Sequence, residues 1–116
     1  MLEKTPINLD RIEEMTEGDA DFKSELVSAL HTSLLELKEK YLEGAELRKE
    51  EIIQEIRHKV KPSLALFEIE ELSRVVGEGK EILQENGFGP KFLSHLDEFI
   101  DVVQEAIDFI KTEIKK

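Results

Sequence analysis

The spacing of apolar residues constrains this chain most: along four long segments they recur every three or four positions. In an α-helix this spacing gathers apolar side chains on one face, which then packs against other helices. Few segments alternate apolar and polar residues with β-branched side chains, as half-buried strands would. We therefore expect four long amphipathic helices, preceded by one short helix.

Capping residues and proline place the ends of these helices. Gly18 can end the short helix, Asp19 is a good N-cap for the next, and Gly44 is expected to end it. Asn86-Gly87 ends the fourth helix, and Pro90 suits the first position of the fifth, where no N–H is needed. The predicted helices span residues 8–15, 20–42, 45–67, 69–85 and from Pro90 onwards. The residues predicted to be buried include Phe22, Leu26, Leu30, Leu34, Leu37, Tyr41, Ile53, Ile56, Val60, Leu64, Phe67, Leu72, Val75, Gly79, Leu83, Phe92, Leu93, Phe99, Val103, Ile107, Ile110 and Ile114.

The loops between these segments are short, so neighbouring helices should run antiparallel. We expect an all-α fold, an antiparallel up-down four-helix bundle with a short additional N-terminal helix. The chain of 116 residues fits one domain, spanning residues 1–116. Gly79 lies on an apolar stripe and is expected to allow a close approach between helices.

Charge and composition exclude several classes of function. A net charge of −11 opposes binding to nucleic acids and to anionic membranes. The chain has no cysteine and no apolar run near the roughly 20 residues that span a bilayer. The segment from Met1 to Pro6 lacks the pattern of a secretory signal. We expect a cytoplasmic monomer.

His58 and Pro62 stand out on the third helix. A helical wheel places His58 about 180° from the apolar stripe of that helix, on its solvent face. Proline inside a helix removes one hydrogen bond and crowds the carbonyl four residues back, which belongs to His58, at a cost of about 3 kcal/mol. A costly residue one turn from an exposed imidazole favours a functional interpretation, although a bend that helps the helix wrap the bundle is the structural alternative.

The run His58-Lys59-Val60-Lys61-Pro62-Ser63 resembles the His-x-x-Lys-Gly-Ser motif of histidine-containing phosphotransfer (HPt) domains. Leu72 also stands at a position that is usually apolar in that family, and the resemblance covers most of the chain. Pro62 replaces the usual glycine, in a Lys-Pro-Ser variant that recurs in bacteria. Glu68 stands where a glycine is common.

The resemblance implies a phosphorelay carrier rather than an enzyme. His58 would be the phospho-acceptor and Lys61 would neutralise phosphoryl charge, with Ser63, which the wheel turns toward the core, in a supporting role. The implied partners are response-regulator receiver domains and a hybrid histidine kinase. No cofactor is expected, because the receiver would supply the magnesium. The expected docking residues around His58 are Glu51, Gln54, Glu55, Pro62, Ala65 and Leu66.

Two alternatives remain open. Glu55 and His58 have the Glu-x-x-His spacing of di-iron bundles, but neither His31 nor His95 follows a glutamate at that spacing. We expect both of these histidines to be surface or boundary residues. The other alternative keeps the bundle as a protein-interaction module that never carries a phosphoryl group.

Overall fold

A computed structural model describes residues 5–114, and within that range the chain forms five α-helices and no strand. The all-α prediction is confirmed for this range. Residues 1–4, on which part of the secretory-signal argument rests, lie outside the described residues, as do residues 115 and 116 of the predicted domain. The helices are α1 (Leu9–Thr16), α2 (Ala20–Leu47), α3 (Glu50–Leu66), α4 (Glu70–Asn86) and α5 (Pro90–Ile114).

Several helix ends lie where the capping residues predict. The Asp19 side chain accepts a hydrogen bond of 3.0 Å from the backbone N–H of Phe22 at the start of α2. Asn8 caps α1 in the same way through the N–H of Arg11, at 3.2 Å. Pro90 is the first residue of α5, as predicted.

The predicted end of α2 at Gly44 is wrong. Gly44 is buried inside α2, which continues to Leu47, and α3 begins at Glu50 rather than at Ala45. A Cβ atom on Gly44 would lie 2.7 Å from Cγ1 of Ile53, so glycine is needed here for the close approach of α3. The chain turns instead at Arg48, which has the left-handed φ of 54°.

The core consists mainly of the predicted stripes. Leu34, Tyr41, Val75 and Phe99 are among the residues with almost no exposed surface. Three predicted core residues are exposed instead: Phe22 (46%), Leu93 (64%) and Ile114 (42%). Each lies in the first or last turn of its helix, where fewer neighbouring residues can cover a side chain.

Each of the four long helices packs against two of the others. α2 lies against α3 and α5, α4 also lies against α3 and α5, and α1 packs on α2. These contacts are compatible with an all-α bundle. Within residues 5–114, none of the helices is both long enough and apolar enough to cross a membrane.

The start of α1 is attached to the end of α3. The backbone N–H of Asn8 donates to the carbonyl of Phe67, and its side-chain amide donates to Glu68 at 3.2 Å. Arg11 donates to the carbonyl of Leu66 at 3.3 Å. Glu68 has a left-handed φ of 52°, a conformation that glycine adopts without strain. That geometry gives a physical reason why glycine would suit this position.

The expectation that His95 is a surface or boundary residue is wrong. His95 is only 5% exposed, and its Nε2 atom lies 2.6 Å from the Tyr41 hydroxyl oxygen. His95 follows Phe92 by three residues and precedes Phe99 by four, which places all three side chains on the buried face of α5. Burial lowers the pKa of His95, although the carboxylates of Glu98 and Glu78 act in the opposite direction.

The close approach predicted at Gly79 is confirmed. A Cβ atom there would overlap both Nε2 of His95 and the Tyr41 hydroxyl. Tyr41 is fully buried, and burial raises its pKa because it disfavours the phenolate. The absence of a side chain at Gly79 therefore allows α4 to pack directly on the pair formed by Tyr41 and His95.

Candidate functional site

His58 lies near the middle of α3 with its side chain exposed, as the helical wheel predicts. The same helix buries Ile53, Ile56, Val60 and Leu64 on its opposite side. These four side chains hold α3 against the rest of the molecule. The imidazole is therefore presented to solvent from a helix that is fixed by its core face.

Pro62 is exposed, and α3 continues past it as far as Leu66. In an α-helix the N–H of each residue donates to the carbonyl four residues earlier. Proline has no N–H, so the carbonyl of His58 receives no helical hydrogen bond from position 62. The turn that carries the imidazole is thus the turn that lacks this bond.

A groove between α3 and α4 runs past His58. It has a volume of about 930 Å³. Leu64 and Val76, which are almost fully buried, form part of its apolar floor. The remaining residues that line the groove are Gln54, Glu55, Arg57, His58, Lys59, Lys61 and Ala65 from α3, and Ser73, Gly77, Lys80 and Gln84 from α4.

The groove is cationic although the chain as a whole is acidic. Four basic side chains line it, from Arg57, Lys59, Lys61 and Lys80, against the single carboxylate of Glu55. The net charge of the whole chain is −11. Positive charge is therefore concentrated in the groove that His58 lines, which the overall composition does not indicate.

Among residues 5–114, three of these four cations form no ion pair. The ammonium group of Lys59 lies 2.6 Å from a carboxylate oxygen of Glu36 on α2. In the part of the chain that the structure describes, Arg57, Lys61 and Lys80 have no carboxylate oxygen within 4.0 Å. An anion that enters the groove would meet these charges without first displacing an internal partner.

The structure brings together only some of the predicted site residues. His58, Lys61, Gln54, Glu55 and Ala65 line the groove. The other four predicted residues do not. Of these, Glu51, Pro62 and Leu66 are exposed on α3, and Ser63 is half-buried. The docking role of Glu51, Pro62 and Leu66 and the supporting role of Ser63 stay predictions.

The α4 side of the groove was missed from the sequence. Ser73, Gly77, Lys80 and Gln84 are spaced by three and four residues, so they form one stripe on α4. That spacing could have identified an exposed face beside the apolar stripe of α4, about 110° from it around the helix. It could not have shown that this face lies beside His58, because the apolar pattern does not say how α4 is rotated against α3.

No metal centre is formed by the described residues: between residues 5 and 114, no three His, Asp or Glu side chains come close enough together to hold an ion. His31 is half-buried on α2, which agrees with the expected boundary position. Searches for similar proteins found no matching family model, no matching curated protein and no matching solved structure.

Proposed function

We propose that this chain is a phosphorelay carrier that accepts a phosphoryl group on His58 and passes it on to an aspartate of a receiver domain. The observation that carries the proposal is the surroundings of His58. An exposed imidazole lines a groove together with three cations that have no ion-pair partner within residues 5–114, in a chain whose net charge is strongly negative. A phosphoryl group is the anion that such a nucleophile would hold.

The proposed architecture is the antiparallel up-down four-helix bundle with α1 as an additional short helix. Each long helix has two long neighbours, and the connections are short, with two residues between α2 and α3. Short connections favour antiparallel neighbours. This arrangement and the His58-Lys59-Val60-Lys61-Pro62-Ser63 run together support the resemblance to HPt domains.

The transfer needs little chemistry from the carrier itself. A ring nitrogen of His58 attacks the phosphorus of an aspartyl phosphate on the receiver. The new N–P bond forms as the P–O bond breaks, and the electron pair of that bond stays on the aspartate carboxylate. Phosphoryl transfer depends mainly on positioning and charge neutralisation, which Lys61 and Lys80 would supply on the carrier side.

The partner must bring the remaining parts of the site. Magnesium and the acidic cluster would come from the receiver domain, and the exposed α3 residues Glu51, Pro62 and Leu66 would extend the docking face beyond the groove. Under this proposal the carrier is not an enzyme by itself. It works in the cytoplasm between a hybrid histidine kinase and a response regulator.

The test is phosphoryl transfer from a panel of radiolabelled receiver domains to the wild type, to His58→Gln and to His31→Gln. We expect acid-labile label on the wild type and on His31→Gln, and none on His58→Gln. Because His58 is exposed, His58→Gln should keep its free energy of unfolding within about 0.5 kcal/mol of the wild type. Absence of label from every receiver would count against the proposal and would favour the non-phosphorylated interaction module.

A further inference from the structure

Three helical glycines differ sharply in what surrounds them. Gly44 and Gly79 are buried, and a Cβ atom on either would overlap a neighbouring helix. Gly77, one turn before Glu81 on α4, is exposed, and a Cβ atom there would have nothing within 4 Å apart from the adjacent backbone of its own helix. Packing therefore explains Gly44 and Gly79 but not Gly77.

Backbone conformation does not explain Gly77 either. The residues of positive φ do not include it, so its backbone is one that any L-residue can adopt. Glycine is the least favourable residue in a helix interior after proline, because it has the most conformational freedom to lose. The chain thus keeps a destabilising residue at a position where the fold requires none.

Gly77 lies on the α4 side of the groove that His58 lines from α3. The groove, at about 930 Å³, is far larger than a single phosphoryl group needs. On this side it has side chains at Ser73 and Lys80 but none at Gly77. The missing side chain leaves the groove open at a point where a partner surface would enter it.

We propose that Gly77 is a clearance position: because it has no side chain, it leaves room on the α4 side of the groove for the surface of a receiver domain to reach His58. This inference rests on the proposed carrier function, and it adds a specificity-determining residue that makes no contact of its own. A long side chain at position 77 would leave the fold intact and would occupy the space that the partner needs. Alanine adds only one carbon atom and should be tolerated.

The experiment measures the initial rate of transfer from one phosphorylated receiver to the wild type and to variants, as a function of carrier concentration. Gly77→Leu and Gly77→Gln introduce an apolar and a polar obstruction, and Gly77→Ala is the conservative control. Glu81→Leu is the matched control for an added leucine, because Glu81 is exposed on α4 but does not line the groove. Circular dichroism and thermal unfolding check that each variant is folded.

We expect Gly77→Leu and Gly77→Gln to require about tenfold more carrier for half-maximal rate, equivalent to roughly 1.4 kcal/mol of lost association. Gly77→Ala and Glu81→Leu should behave like the wild type. Equal rates for all variants, with label on the wild type, would overturn the clearance role and leave the carrier function standing. A wild type that takes label from no receiver of the panel that tests the carrier function would overturn both. Using two different obstructions keeps the test decisive if one variant fails to fold.

Discussion

Replacing Gly79 by alanine tests the packing that sets the position of α4. A Cβ atom at residue 79 would overlap both the Tyr41 hydroxyl and Nε2 of His95. Both side chains are buried, and they face each other at 2.6 Å across the core. The added methyl group must therefore push this pair apart or move α4 outward. Gly77→Ala, two residues away on the same helix, adds the same methyl group into open space.

The two substitutions are expected to change the free energy of unfolding in opposite directions. Alanine in place of a helical glycine gains about 1 kcal/mol, and at residue 77 nothing opposes that gain. At residue 79, overpacking costs about 1–3 kcal/mol. Separating Tyr41 from His95 leaves two buried polar atoms unpaired and costs about 1–3 kcal/mol more. We therefore expect Gly79→Ala to lose about 3 kcal/mol of unfolding free energy.

Urea denaturation followed by circular dichroism measures both variants under identical conditions. Gly77→Ala should shift the midpoint to higher urea and Gly79→Ala should shift it to lower urea, with the slope unchanged in each case. Equal stability of the two alanine variants would refute the argument. It would mean that the core around Tyr41 has room for a methyl group.

Three further predictions follow from single features of the structure. Lys61→Ala and Lys80→Ala should each slow phosphoryl transfer to the carrier about tenfold, because each removes a cation from the groove. Lys91→Ala is the control, since Lys91 is exposed outside the groove, and it should not slow the transfer. Initial rates of labelling measure all three variants. Arg48→Gly should raise the free energy of unfolding by about 1 kcal/mol in urea denaturation, because Arg48 adopts a left-handed φ of 54° that glycine tolerates better. If Arg48→Ala stabilised the protein as much as Arg48→Gly, backbone strain would not be the cause. The folded state binds a proton on His95 less readily than the unfolded state, because burial lowers its pKa. The stability that His95 contributes is therefore complete above the ordinary pKa of 6.5 and is lost as the pH falls from there through the folded-state pKa. His95→Gln should make unfolding free energy less dependent on pH in that window, and an unchanged pH profile would show that the folded protein accommodates the charged ring.

The apolar pattern was enough to predict the helical class and most of the core. The pattern gave wrong predictions at Gly44 and at His95. A glycine at the position of Gly44 is the local signal of a helix end. The actual reason for the glycine is the close contact with Ile53, which the local sequence pattern does not show. His95 was misplaced for the opposite reason: its polarity suggested the surface, although its spacing from Phe92 and Phe99 put it on the buried face.

The candidate site was predictable only on the helix that carries the imidazole. The exposure of His58 follows from the rotation of α3, and the sequence defines that rotation through Ile53, Ile56 and Val60. The contributions of Lys80 and Gly77 depend on how α4 packs beside α3. That packing depends on Gly79 meeting Tyr41 and His95, a contact between residues far apart in the sequence.

Mass spectrometry of the protein after incubation with a phosphorylated receiver is the direct test that His58 accepts a phosphoryl group. We expect one added phosphoryl group, located on His58 by fragmentation, stable in alkali and lost in acid. An unchanged intact mass, or a phosphoryl group located on any other residue, would contradict it.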